Sequence, residues 1–110
     1  MRERILAMDL AFLRQLWRAR CTACDMLEAR RWRLAPGARN EHARFEREMT
    51  VLVMEGDAIR TMLYLRIIAQ QRQKKLACFF ATERKVGVKT VREYVKSAKK
   101  EKADNMIIVM

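Results

Sequence analysis

An apolar stripe near the start of the chain constrains its fold more than any other feature of the sequence. Apolar residues recur there at steps of three and four: Leu6, Leu10, Leu13, Trp17, Cys21, Cys24 and Leu27. This spacing is typical of one face of an amphipathic helix, which we expect over about residues 3–33. A helix of about 45 Å needs partners along its whole apolar face.

Turn-forming residues separate this helix from the next one. Pro36 and Gly37 are expected to end the first helix, because proline biases the residue before it away from helical backbone angles. Asn40 follows and is expected to cap a second helix over about residues 40–55.

Gly56 decides how long the later helices are. Because a helix running through it would be too long to pack compactly on the first one, we expect Gly56 to end the second helix and Asp57 to cap the third. The third helix then covers about residues 57–82. Thr90 is expected to cap a short fourth helix over about residues 90–102.

The composition favours helices throughout. Of the 110 residues, 51% are hydrophobic and 34% are charged, with only three glycines and one proline. We therefore predict an all-α fold, a three-helix bundle of antiparallel helices with a short fourth C-terminal helix, in a single helical domain over residues 1–110. The apolar segment at residues 105–110 is expected to dock on its own domain or on a partner.

Positive charge is concentrated in the C-terminal third. The formal net charge is +11, and all the lysines lie between Lys74 and Lys102. This charge favours RNA or an acidic partner, and it is also typical of a solvated helix face. The candidate binding residues are Lys74, Lys75, Lys85, Lys89, Lys96, Lys99 and Lys100.

The three cysteines provide the weak candidates for a metal site. Cys21 and Cys24 are three residues apart, and Cys78 and His42 would complete a tetrahedral zinc site. The simpler interpretation is that the cysteines pack as small hydrophobic residues, and their odd number favours a reducing compartment. With one histidine, one serine and no glycine-rich loop, we predict no enzyme activity and no cofactor of the chain's own.

The segment from Phe12 to Arg18 resembles the signature of the LYR-motif family of small three-helix mitochondrial proteins. The resemblance implies an accessory or assembly subunit that binds an acyl carrier protein with its acyl-phosphopantetheine chain. It also implies that Arg14 and Arg18 face the carrier and that Phe45 is the aromatic residue of the second helix.

Three functions follow from these features. The first is a non-catalytic subunit or assembly factor of a respiratory complex or mitochondrial ribosome in the matrix, without a cleaved presequence because Glu3 and Asp9 interrupt the leader pattern. The alternative is a basic structural protein of a ribonucleoprotein that binds RNA backbone. A third is a helical scaffold or export chaperone. An integral membrane protein is not expected, because arginines interrupt the most apolar stretch.

Overall fold

The computed structural model describes residues 10–82 and 87–109, and within them a four-stranded sheet lies between two layers of helices. The elements in chain order are α1 (Leu10–Ala29), β1 (Arg33–Leu34), α2 (His42–Glu55), α3 (Ala58–Leu65), β2 (Ile67–Gln71), β3 (Lys74–Phe80), α4 (Val88–Lys100) and β4 (Asn105–Val109).

The strands follow the order β1-β2-β3-β4 across the sheet. β2 pairs with β1 and with β3 in antiparallel fashion, whereas β4 runs parallel to β3. Parallel neighbours need a crossover connection, and α4 supplies it. The tight turn between β2 and β3 places Arg72 in the left-handed region at a φ of 54°.

The sheet has an apolar core on each face. α1 and α2 cover one face, where Phe45, Met49 and Leu27 pack against alternate strand residues such as Ile67 and Cys78. α4 covers the other face. The strand residues that point to this face pack beneath it: Ala77, Phe79, Ile68 and Ile108. Side chains therefore alternate between two cores along each strand.

The predicted three-helix bundle is wrong, and the protein has a mixed α/β fold. The error lies in the predicted helix over residues 57–82, because α3 ends at Leu65 and Arg66 already has extended backbone angles (φ −63°, ψ 150°). The following residues form β2 and β3. Strands buried on both faces are apolar at successive positions, and this pattern resembles that of a helix buried on all sides.

The predicted break at Gly56 is confirmed. Gly56 ends α2 in the left-handed conformation at a φ of 70°, and its N–H donates to the carbonyl oxygens of Leu52 and Val53. Asp57 caps α3, where its carboxylate accepts a hydrogen bond of 3.0 Å from the N–H of Arg60. α2 and α3 are therefore separate helices.

The other helix ends differ from the predicted ones. α1 ends at Ala29 and is followed by Arg31 at a φ of 66°, while residues 3–9 of the predicted helix lie outside the described residues. Glu41 takes the cap position of α2 instead of Asn40, and Gly87 takes that of α4 instead of Thr90.

The apolar C-terminal segment docks on its own domain, which is one of the two outcomes expected from the sequence. It forms β4, and Cys78, Phe79 and Phe80 pair with Ile107, Ile108 and Val109. Met110 lies outside the described residues.

Candidate interaction surface

α4 is fixed on the sheet by an aromatic pair. The ring of Tyr94 stacks on that of Phe79 with centroids 4.9 Å apart and an angle of 18° between their planes. Ala98 is buried one turn further along the helix. This contact directs the opposite side of α4 to solvent, because residues one half-turn away cannot reach the sheet.

A polar network holds the C-terminal half of α4 against the start of β2. The guanidinium of Arg66 donates to Ser97 Oγ at 2.8 Å and to Glu101 Oε1 at 3.0 Å. Lys75 adds a longer contact of 3.4 Å with the same carboxylate. Because these groups are half-buried, they are screened less than a fully exposed pair and fix the rotation of the helix.

The solvent side of α4 presents the basic surface of the protein. We use the name α4 basic surface for its exposed cations: Lys89, Arg92, Lys96, Lys99 and Lys100. None of them forms an ion pair with a carboxylate within residues 10–82 and 87–109. The described carboxylates therefore leave this charge unneutralised, as binding of an external anionic group requires.

The structure brings together only part of the predicted basic site. Lys96, Lys99 and Lys100 lie on α4 as expected, and Lys89 lies in its first turn, just before the predicted start of that helix. Lys74 and Lys75 lie instead on β3, where Lys74 is exposed and Lys75 is half-buried beside Glu101. Lys85 falls outside the described residues.

The predicted site on the first helix is not assembled. Arg14 and Arg18 are both exposed on α1. Phe45, however, has no exposed surface and lies in the core between α1 and the sheet, with its ring 6.1 Å from that of Tyr64. A partner that contacts the two arginines therefore cannot contact this aromatic ring.

Sequence reasoning missed Arg20, a buried arginine that joins three parts of the fold. Its Nε donates to the Leu65 carbonyl at 3.0 Å, and its Nη1 donates to Asn40 Oδ1 at 3.0 Å. The guanidinium also lies 5.5 Å from the centre of the Phe45 ring. Burial lowers the pKa of Arg20, because desolvation disfavours the charged form. Its place within the apolar stripe of α1 is the feature that could have identified it.

The four weak metal candidates, all within the described residues, do not assemble into a set of ligands. Cys24 and Cys78 are buried, and Cys21 is half-buried. The rings of His42 and Trp17 pack in a T-shaped arrangement, with their centroids 5.1 Å apart. Within the described parts of the chain, no three His, Cys, Asp or Glu side chains are grouped to hold a metal ion.

The buried thiols are also poor nucleophiles. Burial raises the pKa of Cys78 to about 11 and raises that of Cys24 above its usual value. Both thiols are therefore protonated at neutral pH, and only the thiolate is reactive.

A groove of about 480 Å³ separates α3 from α4. Its floor is apolar and includes Leu65 and Phe80, while Asp57, Glu93 and Lys89 line its polar parts. Because both signs of charge occur there, electrostatics do not select an occupant for the groove.

No helix in the described part of the chain is both long enough and apolar enough to cross a membrane. A comparison with family models matches residues 12–98 to the family described as RNA polymerase Rpb5, N-terminal domain. No curated protein and no solved structure matches the chain.

The family match contradicts the resemblance to LYR-motif proteins. That resemblance depends on seven residues of α1 and implies a three-helix protein, whereas the chain contains a four-stranded sheet. The predicted role in a respiratory complex or mitochondrial ribosome, with an acyl carrier bound to α1, is therefore wrong. The match also gives no support to the alternative of an RNA-binding ribonucleoprotein component. The location in the mitochondrial matrix stays a prediction.

The matched region begins in α1 and ends in the last turns of α4, so it includes both helix layers and three of the four strands. This is most of the chain. The chain therefore belongs to the family of the RNA polymerase Rpb5 N-terminal domain, which makes it a subunit of a larger complex.

Proposed function

We propose that this protein is a non-catalytic subunit of an RNA polymerase. The observation that carries the proposal is the family match over residues 12–98, which covers the helices on both faces of the sheet. A match of this extent depends on the whole core of the fold, whereas a short motif depends on one helix.

The chemistry of the buried groups supports a role without catalysis. Ser97 is buried and its hydroxyl accepts a hydrogen bond from Arg66, so the hydroxyl is held in a structural contact. The single histidine of the chain, His42, packs on Trp17 and lies 3.8 Å from Glu46. A nucleophile needs an adjacent base or a lowered pKa, and the raised pKa values of Cys24 and Cys78 are the opposite of that requirement. We also propose that the chain has no cofactor of its own.

The fold is well suited to an adaptor that holds a surface in a fixed orientation. The two apolar cores bury both faces of the sheet, and the contacts of Arg66 fix α4 on one of them. The α4 basic surface is thereby presented on a rigid element, and rigid presentation lowers the entropy cost of binding.

Affinity purification tests this function. The chain is tagged, expressed in the organism that encodes it and purified, and its partners are identified by quantitative mass spectrometry. We expect the catalytic subunits of an RNA polymerase in stoichiometric amounts. We also expect the purified complex to extend an RNA primer on a DNA template, and the chain alone to be inactive.

Two variants of α2 provide the matched control. Phe45→Asp places a charge in the fully buried core and is expected to abolish folding and polymerase association. Thr50→Asp makes the same kind of change at an exposed position of the same helix and is expected to leave association unchanged. Stoichiometric recovery of a respiratory complex or ribosome, without polymerase subunits, would contradict the proposal.

A further inference from the structure

β4 forms one edge of the sheet and pairs only with β3 in the described part of the chain. The N–H of Ala81 donates to the carbonyl of Val109 at 2.9 Å, so the backbone groups of Val109 and Ile107 point toward β3. Because successive residues of a strand point their backbone groups to opposite sides, those of Met106 and Ile108 point away from the sheet. An outward row of this kind is a template for another strand.

Contacts at the start of β2 indicate which flank of α4 faces this edge. Ser97 and Glu101 contact Arg66 at the start of β2, so their flank of the helix faces away from β4. The opposite flank carries three valines at helical spacing, Val88, Val91 and Val95. Val88 is 69% exposed and the other two valines are partly exposed. We call these valines, together with the outward backbone of β4, the β4 edge surface.

Cations border the valines of the β4 edge surface. Arg92 and Lys99 flank them on α4, and both side chains are exposed without an ion pair to a described carboxylate. They are seven residues apart, which corresponds to about 10.5 Å along a helix. The whole chain carries a net charge of +11, so two copies repel each other at such an edge. The charge therefore favours an acidic partner over a second copy of the chain.

We infer that the β4 edge surface binds an extended, acidic segment of a partner protein as a fifth strand. Backbone groups of Met106 and Ile108 supply the hydrogen bonds, and an apolar side chain of the segment packs below Val91 and Val95. Acidic residues two positions to each side point to the same face of the strand, where they reach Arg92 and Lys99. The β4 edge surface is a property of the fold, so this inference does not depend on which complex the chain joins.

A synthetic peptide tests the geometry directly. The probe is Thr-Glu-Thr-Val-Thr-Glu-Thr with blocked ends, and binding is followed by amide NMR spectra of the full chain. We expect the N–H signals of Met106 and Ile108 to move downfield and to become protected from hydrogen exchange. A peptide with lysine in place of glutamate is expected to bind at least tenfold more weakly.

Two substitutions at one exposed position test the backbone pairing. Met106→Pro removes an outward N–H while leaving the bonds of β4 to β3 in place, and we expect peptide affinity to fall about tenfold. Met106→Val keeps the N–H and is expected to leave affinity within about twofold of the native value. Circular dichroism of both variants checks that the fold is intact. Equal loss of affinity in both variants would overturn strand addition.

A charge-matched pair of variants tests the acidic preference. Arg92→Gln with Lys99→Gln is expected to weaken peptide binding about fivefold and to flatten its salt dependence. Arg14→Gln with Arg47→Gln removes the same charge at other exposed positions and is expected to have little effect. Equal weakening by both pairs would mean that binding depends on net charge alone, and it would overturn the role of Arg92 and Lys99.

Two further experiments test whether the β4 edge surface binds a second copy of the chain or duplex DNA instead. Sedimentation equilibrium that shows a dimer sensitive to Met106→Pro would assign the edge to a second copy and overturn the inference. A duplex DNA probe that competes with the peptide and shifts the same β4 amide signals would also overturn it. Failure of polymerase purification, in contrast, leaves the peptide result unaffected.

Discussion

Replacing Arg20 by methionine tests whether one buried guanidinium holds the helix layer together. Methionine keeps most of the side-chain volume, so the change removes the donors and the charge with little new cavity. The native side chain joins α1 to the Leu65 carbonyl, at the point where α3 gives way to β2, and to Asn40 in the loop before α2.

The expected loss is the balance of three effects. Leu65 is fully buried, so its carbonyl left without this donor costs about 1–3 kcal/mol. Loss of the Asn40 contact and of the cation–π contact with Phe45 adds about 1–2 kcal/mol. Removing a charge that is costly to bury offsets part of this sum, and the lowered pKa of Arg20 gives the direction of that effect. We expect a net destabilisation of about 2 kcal/mol, or roughly 10 °C in Tm.

Urea and thermal unfolding of three variants check this estimate. Arg20→Lys keeps the charge but loses the planar fork of donors, so it is expected to destabilise at least as much as Arg20→Met. Arg18→Met, at an exposed neighbouring position on α1, is expected to change the free energy of unfolding by less than about 0.5 kcal/mol. An Arg20→Met variant as stable as the native chain, or rescue by lysine, would refute the reasoning.

Three further perturbations have separate physical causes. Gly56→Ala is expected to lower the free energy of unfolding in urea by about 1 kcal/mol, and Gly56→Asn by about half of that. The cause is the φ of 70°, which is strained for alanine, and not a steric clash, since an added Cβ meets no atom within 4 Å. Since burial raises the pKa of Cys78 from 9.0 to about 11, its contribution to stability is complete below pH 9 and falls by about 1.4 kcal/mol per pH unit up to pH 11. Cys78→Ala should therefore be less stable at pH 7 but show a shallower decline over that interval, and an unchanged slope would contradict the assignment. Arg66→Met removes two contacts to α4. Hydrogen exchange of the α4 amides should therefore accelerate several-fold, while that of the α1 amides stays constant. Equal acceleration in both helices would argue against a local role of Arg66.

The sequence predicts those features that depend on local chemistry. The break at Gly56 follows from its freedom at positive φ, and the Asp57 cap follows from one carboxylate and one nearby N–H. The core of the first helix follows from its stripe, since Leu13, Cys24 and Leu27 are all buried. Each of these predictions needs only the residue pattern within one short segment of the chain.

The predictions that failed depend on distant contacts. Asn40 is a good cap by type, yet its side chain instead accepts from Arg20 and donates to Tyr64. The two apolar faces of β2 and β3 exist because α1 and α2 cover one side and α4 covers the other. Propensity along a segment cannot supply that information, because the second face is determined by elements far away in the chain.

The same limit explains why a short motif pointed to the wrong family. Leu13 and Leu16 are buried and Arg14 and Arg18 are exposed, as in any amphipathic helix that packs on an apolar layer. Such spacing is identical whether that layer is a second helix or a sheet, so it carries information about α1 alone. Arg20 is different, because its partners are the end of α3, the loop before α2 and the ring of Phe45. A buried arginine within an apolar stripe therefore indicates a specific tertiary arrangement, and its contacts distinguish folds that the periodicity of one helix cannot separate.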